Sequence, residues 1–192
     1  MEKCRWSCPT SDENQLFTIG HSTRTIGEFA QILRNAGVDL VVDVRTVPRS
    51  RTNPQYNFDI LRGELVTSRI DYERIGELGG LRGRSRTIPP EVNAFWENQS
   101  FHNYADYALS GEFGRGLEQL ITFASKHKTA IMCAEAVWWR CHRRIIADYL
   151  ILLGWNVTHL MGDDRSELAT ITPAARERDG HLVYPAPNPA VG

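Results

Sequence analysis

The chain has 192 residues, a formal net charge of −1 at pH 7 and a pI of about 6.6. This length suffices for one domain with a substantial core, and the near-neutral charge excludes a whole-molecule field that would attract nucleic acid or a membrane surface. No apolar run approaches the roughly 18 residues of a membrane span, and the first residues lack the apolar centre of a signal peptide. We therefore expect a cytoplasmic protein that has reduced cysteines and does not bind a membrane.

Strand and helix patterns alternate along the chain. Apolar, largely β-branched runs predict strands over 16–20, 39–44, 129–133 and 155–160, with a short further strand over 70–75. Helical spacing predicts one helix from a capping box at Thr25 and Glu28 to Gly37, and others over 58–68, 104–109, 113–126 and 144–153. These patterns predict an α/β fold, a single domain whose mainly parallel sheet of four or five strands has helices on both faces.

We expect three parts along the chain: a loose lead-in over 1–15, the α/β domain over 16–162, and a C-terminal extension over 163–192 that packs on the domain or trails from it. In the extension only His181–Tyr184 has the composition of an edge strand. Cys4 and Cys8 in the lead-in are spaced to bind metal or to pair. Because no second cysteine pair or Cys/His doublet follows nearby, we interpret them as incidental.

Residues capable of chemistry follow four predicted strands, where ligands gather in an open α/β sheet. The four segments are Gly20-His21-Ser22, Asp43-Val44-Arg45, Leu78-Gly79-Gly80, and Cys133-Ala134-Glu135 with Cys141-His142-Arg143. A core requires none of these side chains, because packing selects apolar ones. Each residue alone has a structural explanation, such as a hydrogen bond from His21 to a turn carbonyl. All four segments at one sheet edge predict a functional site.

The strongest segment, from Cys133 to Arg143, lies between a buried strand and the start of a helix. A helix start offers unpaired N–H groups and partial positive charge, so Cys141 should have a lowered thiol pKa. Two arginine clusters lie in loops elsewhere: Arg45, Arg49 and Arg51, and then Arg82, Arg84 and Arg86. They form either solvated loops or an anion-binding mouth.

The ordered set of these motifs resembles the family catalogued as domain of unknown function 488. The residues that carry the resemblance are Ile19-Gly-His-Ser22, Asp43-Val-Arg45 with Pro48 and Ser50, Tyr72 with Leu78-Gly-Gly80, Cys133-x-Glu135, and Cys141-His-Arg143. It covers about residues 16 to 162 and implies a small α/β domain, but no reaction. The family usually has an Asp-Pro-like turn between the glutamate and Cys-His-Arg, where this chain has Ala136-Val-Trp-Trp-Arg140.

Thiolate chemistry is the first candidate mechanism. A strand that ends in Cys, followed by a loop, an Arg and a helix, resembles the site of rhodaneses and Cys-dependent phosphatases. Those enzymes need Cys-x5-Arg, and in this chain the arginine after Cys133 comes one residue late, at Arg140.

Metal binding is the second candidate. Cys133, Glu135, Cys141, His142 and His21 are all permissible Zn²⁺ ligands. Neighbouring Cys and His at a helix start point about 100° apart, so both seldom bind one ion. We therefore predict no metal ligand, and the sequence identifies no cofactor.

The third candidate, which we favour, is an enzyme acting on a phosphate-bearing substrate, a nucleotide or nucleic acid. The expected catalytic residues are Cys141 as nucleophile, Glu135, His21 and Asp43 for proton transfer, and Cys133. The expected substrate-binding residues are Arg45, Arg143, His142, Ser22, Ser50, Gly79, Gly80 and Tyr72, with Arg140 as a further phosphate ligand. Base stacking would fall to Tyr72, Tyr107, Trp138 or Trp139. The alternatives are a non-catalytic nucleotide or nucleic-acid binding module, and a metal-binding or thiol-redox protein.

Overall fold

A six-stranded sheet forms the centre of the protein in the computed structural model, which describes residues 14–162 and 165–187. The strands are β1 (Gln15–Gly20), β2 (Leu40–Asp43), β3 (Asp71–Arg74), β4 (Thr129–Cys133), β5 (Asn156–Gly162) and β6 (Arg165–Leu168). Their order is β3-β2-β4-β1-β5-β6, and all neighbours are parallel except the antiparallel pair β5 and β6. The predicted α/β fold with a mainly parallel sheet is confirmed.

Helices cover both faces of this sheet. They are α1 (Ile26–Asn35), α2 (Phe58–Thr67), α3 (Gln99–Tyr107), α4 (Gly111–Ala124) and α5 (Arg143–Leu152). Alternate residues of β2 enter two different cores. Val41 joins a cluster with α1 and α2, whereas Val42 joins a larger cluster with α3, α4 and α5. Strands buried on both faces explain the nearly continuous apolar runs in the sequence.

Helix boundaries follow local capping. Thr25 and Glu28 form the predicted capping box, and Gly37, with φ of +70°, ends the first helical segment in the left-handed region. Helix α3 begins earlier than the predicted 104–109, because the Asn98 side chain accepts hydrogen bonds from the backbone N–H groups of Ser100 and Phe101. Residues 99–103 therefore belong to α3, although the spacing of apolar residues did not predict a helix there.

The three C-terminal strands differ from expectation. All four residues of β6 are exposed, so this strand has no apolar alternation from which it could be predicted. The run over 181–184 does form a strand, β8 (His181–Val183), but its partner is β7 (Arg176–Arg178) in a separate two-stranded sheet. Leu182 and Tyr184 are buried in the larger core.

Some of the sequence-based expectations concern residues outside the described ranges. Cys4 and Cys8 lie there, as do most of the predicted lead-in and the residues after 187. Within the described ranges, no helix is both long enough and apolar enough to cross a membrane.

A buried carboxylate fastens the C-terminal segment to α5. Asp148 is 1% exposed, and it accepts hydrogen bonds from the backbone N–H of Thr172 at 2.8 Å and from the Tyr184 hydroxyl at 3.0 Å. Burial raises the pKa of Asp148 from 3.8 to about 6, although these hydrogen bonds oppose the shift. The folded protein therefore binds a proton here more tightly than the unfolded chain does.

We predict that Asp148 makes the protein less stable as pH rises. The contribution of Asp148 to the free energy of unfolding is fully present below about pH 4, where the carboxyl is protonated in the folded and the unfolded protein. This contribution is lost as pH rises through about 6. Relative to Asp148→Asn, the wild-type free energy of unfolding should fall by about 3 kcal/mol across this window, as urea denaturation would show. Exposed Asp71→Asn is the matched control. Parallel pH profiles for wild type and Asp148→Asn would contradict the prediction.

Candidate functional site

A cavity of about 400 Å³, here called the edge cavity, opens beyond the carboxyl ends of β1, β2 and β4. Because these three strands are parallel neighbours, the loops that follow them meet at one place. Several predicted site residues line it: His21, Arg45, Ser50, Gly80, Cys133, Glu135, Cys141 and His142. Asp43, Tyr72, Arg143, Ser22 and Gly79 do not line it.

Asp43 and Tyr72 form a buried ion-pair network with Arg45 beside the cavity. The Arg45 Nε lies 2.9 and 3.0 Å from the two carboxylate oxygens of Asp43, and its Nη2 lies 2.6 Å from Oδ2. The Tyr72 hydroxyl donates to the same carboxylate at 2.5 Å. Asp43 is completely buried and its oxygens are occupied, so it has no free oxygen for a substrate proton. Its role here is to fix the Arg45 guanidinium.

His21 is also committed to Arg45. Its Nδ1 donates to the Ser22 carbonyl at 2.9 Å, its Nε2 accepts from Arg45 Nη1 at 3.3 Å, and its ring stacks on Tyr56 with centroids 4.0 Å apart. Burial, together with the nearby charge of Arg45, lowers the pKa of His21 to about 4. At neutral pH the imidazole is therefore uncharged, and its acceptor nitrogen orients Arg45.

Cys133, Cys141 and His142 form a compact group at the base of the edge cavity, here called the thiol–imidazole cluster. The Nε2 of His142 donates to the Val44 carbonyl at 3.0 Å, which turns Nδ1 toward both sulfurs. Nδ1 lies 3.9 Å from the Sγ of Cys133 and 3.6 Å from the Sγ of Cys141. Both cysteines are free thiols. Cys141 and His142 therefore do not diverge as the sequence analysis expected for neighbours at a helix start, because their donor atoms and the Cys133 sulfur lie within 4.8 Å of one another.

Arg143 lies behind the thiol–imidazole cluster and fixes the loop between β4 and α5. It is 1% exposed, its Nε donates to the Cys141 sulfur at 3.2 Å, and its Nη2 donates to the Glu135 carbonyl at 2.6 Å. Burial alone would raise the pKa of Cys141, but hydrogen bonding from Cys133 and the Arg143 charge hold it well below its usual range. The hydrogen bond to Cys141, followed by burial, raises the pKa of Cys133.

Ser22 and Gly79 shape the loops around the edge cavity. Ser22 has a φ of +49°, and its backbone N–H donates to the Ala134 carbonyl at 3.0 Å. At Gly79 a Cβ atom would lie 2.6 Å from the Thr46 hydroxyl, so the absence of a side chain allows the two loops to approach. Ser22 and Gly79 therefore affect the edge cavity through the conformation of its loops.

The structure separates the arginines of the two loop clusters. Arg49 and Arg140 line the edge cavity and are exposed, and neither side chain has a hydrogen bond or ion pair within the described residues. Arg82 instead caps the carbonyls of residues 76, 77 and 79 and covers the Tyr107 ring. Arg84 and Arg86 line a separate opening of about 850 Å³. Within the part of the chain that the structure describes, Arg49 and Arg140 are therefore the unpaired guanidinium groups at the edge cavity.

The apolar wall of the edge cavity was missed from the sequence. Phe101 of α3 lines it together with the exposed Val47 and Leu81. Of the aromatics predicted to stack a base, Trp138 stacks instead on His159 with ring centroids 4.4 Å apart. Asn98, which caps α3, is the one sequence signal that could have located the helix start near Phe101.

Comparison with known proteins identifies a family and no activity. Residues 25–150 match the model of the family described as Domain of unknown function DUF488. The chain belongs to this family. The match includes the thiol–imidazole cluster and the Asp43–Arg45 pair, whereas His21 precedes it. No curated protein and no solved structure matches the chain. The function must therefore be inferred from the edge cavity.

Substitution of Gly80 would test the packing around the His142 imidazole. A Cβ atom there would lie 2.8 and 2.9 Å from ring atoms of His142, whereas a Cβ at Gly83 would have no neighbour within 4 Å. We predict that Gly80→Ala displaces the imidazole and destabilises the protein by about 1–3 kcal/mol, while Gly83→Ala leaves stability nearly unchanged. Urea denaturation and the His142 imidazole NMR signals measure both effects. Equal stability of the two variants, with unshifted His142 signals, would refute this packing.

Proposed function

We propose that the protein is an enzyme that acts on a phosphate-bearing substrate, a nucleotide or nucleic acid, in the edge cavity. One observation carries the proposal: the guanidinium groups of Arg49 and Arg140, which have no hydrogen bond or ion pair within the described residues, share a single cavity with the thiol–imidazole cluster and the carboxylate of Glu135. The guanidinium groups can bind a phosphate, and the thiols, the imidazole and the carboxylate can react or transfer protons. A hydrophobic core would need none of these side chains.

Arg49 and Arg140 would bind the phosphate. A guanidinium presents a fixed fork of N–H donors that matches two phosphate oxygens, and no protein acceptor within the described residues competes for either group. Arg45 differs because its charge is already compensated by Asp43 at 2.6 Å. It forms part of the cavity wall and orients the groups around it.

The apolar wall favours a nucleotide over inorganic phosphate. Leu81 is 74% exposed and Val47 is 56% exposed, and both face the edge cavity beside Phe101. Large exposed apolar side chains around a cavity that also contains polar groups are typical of a small-molecule site. A flat base would cover these side chains while its phosphate reaches Arg49 or Arg140.

Glu135 is the residue we propose for proton transfer. It lines the edge cavity and is exposed, and within the described residues its carboxylate has no hydrogen bond or ion pair. This distinguishes it from Asp43, whose oxygens are occupied by Arg45 and Tyr72. A free carboxylate next to a bound substrate can accept or donate a proton.

We place this enzyme in the cytoplasm. Cys133 and Cys141 are free thiols within 4.8 Å of each other, close enough that an oxidising compartment would favour their oxidation. A reducing compartment keeps both thiols available.

The anchoring role predicts weaker ligand binding in Arg49→Ala and Arg140→Ala. Each substitution should lower the affinity for nucleoside monophosphates or short oligonucleotides about tenfold and reduce its dependence on salt, because one phosphate contact is lost. Isothermal titration calorimetry at two salt concentrations provides the measurement. Arg62→Ala, an exposed arginine on α2, is the matched control. Unchanged affinity in both cavity variants would exclude the proposed anchor.

Proton transfer by Glu135 predicts a separation of binding from turnover. In Glu135→Gln, ligand affinity should stay within about threefold of wild type, while conversion of the bound nucleotide, followed by mass spectrometry, should fall at least about 100-fold. Glu118→Gln, an exposed glutamate on α4, is the control. A non-catalytic binding module would bind the same ligands but would show no conversion in wild type either.

A further inference from the structure

The donor atoms of the thiol–imidazole cluster are spaced as they would be around a tetrahedral metal ion. The Nδ1 of His142 lies 3.6 and 3.9 Å from the two sulfurs, and all three atoms lie within 4.8 Å of one another. With Zn–S bonds of about 2.3 Å and a Zn–N bond of about 2.0 Å, tetrahedral angles separate nitrogen and sulfur by about 3.5 Å and the sulfurs by about 3.8 Å. Only small movements would bring the donors to these distances.

The imidazole of His142 is oriented as a metal ligand requires. Its Nε2–H donates to the Val44 carbonyl at 3.0 Å, so its Nδ1 lone pair is directed at the two thiols. Ligating histidines usually make such a hydrogen bond with the other ring nitrogen, which fixes tautomer and ring orientation. Tyr104, with its ring centroid 5.0 Å away, and the backbone of Gly80 limit rotation of the ring.

A metal-free nucleophile explains less of this arrangement. A histidine that activates one thiol needs a short contact to that thiol alone, whereas Nδ1 lies at similar distances from both Cys133 and Cys141. Arg143 donates to the Cys141 sulfur at 3.2 Å, a contact compatible with a free thiolate and with a metal-bound one. Two thiolates also neutralise a divalent ion, which favours its burial at the base of the cavity.

We propose that Cys133, Cys141 and His142 bind one zinc ion, with a fourth coordination position open to the edge cavity. All three residues line this cavity, and three protein ligands plus one open position are typical of a catalytic zinc site. This role rests on the proposed function: at the open coordination position the metal would polarise a substrate oxygen or a water molecule. Thiolate and imidazole ligands select zinc over magnesium or calcium.

The test begins with a variant that removes the other two cysteines. The chain has four cysteines, so in Cys4→Ser/Cys8→Ser only Cys133 and Cys141 remain. After equilibrium dialysis of this reduced protein against Zn²⁺, elemental analysis should give one zinc per chain. With Co²⁺ as the probe, a thiolate-to-cobalt charge-transfer absorption should appear. That absorption requires a cysteine ligand, so it assigns the site without altering the proposed ligands.

Ligand substitutions in the same background give the quantitative result. Cys133→Ser, Cys141→Ser and His142→Ala should each weaken zinc binding by more than about 100-fold, and Gly80→Ala, which displaces the imidazole, by about 10- to 100-fold. His127→Ala, a partly exposed histidine outside the cavity, should have no effect. Circular dichroism confirms that each variant is folded, and the cobalt absorption of the parent protein decides the question if a variant is not.

Two outcomes would overturn the zinc site: no stoichiometric zinc and no charge-transfer absorption in the Cys4→Ser/Cys8→Ser protein, or unchanged zinc affinity in folded Cys133→Ser and His142→Ala. Neither depends on nucleotide binding. If zinc is absent but Arg140→Ala still weakens nucleotide binding, the metal site fails and the proposed function stands. If zinc binds but no phosphate compound does, the zinc site stands and the proposed function fails.

Discussion

The contact on which the site most depends is that of a buried cation, Arg143, with both ends of one loop. Its guanidinium donates to the Glu135 carbonyl at 2.6 Å and to the Cys141 sulfur at 3.2 Å. These two acceptors flank residues 136–140, so Arg143 determines how closely the loop returns to the end of β4. The separation of Cys133 from Cys141 follows from that closure. Loss of Arg143 would remove this donor from the Glu135 carbonyl and from the buried sulfur of Cys141.

Buried and exposed charged side chains have different roles around the edge cavity. Asp43 is completely buried and pairs with Arg45, so the two form a rigid, nearly neutral wall. The side chains of Arg49, Arg140 and Glu135 are exposed and have no hydrogen bond or ion pair within the described ranges. Charges that are already paired change little when a ligand arrives, whereas unpaired ones gain most from it. This division explains why the substrate contacts are assigned to the exposed group.

Much of the fold could be predicted because buried parallel strands have continuous apolar runs and because their carboxyl ends share one edge. Side-chain direction could not be predicted. In the pairing of β2 with β3, Val41 lies opposite Tyr72 and Asp43 lies opposite Arg74. The Tyr72 hydroxyl therefore contacts Asp43 and does not line the cavity. Phe101 was missed because α3 reaches the site from a distant part of the chain. Strand β6 was missed because its exposed residues show no apolar period.

In the proposed function, phosphate binding and the thiol–imidazole cluster belong to one cavity. NMR titration with a nucleoside monophosphate, observing arginine Nε–H and histidine ring signals, distinguishes one shared site from two separate ones. We expect the signals of Arg49, Arg140 and His142 to shift together with a single dissociation constant, because all three line the edge cavity. A response confined to Arg84 and Arg86, at the separate opening, or no response at His142 while the arginines shift, would contradict it.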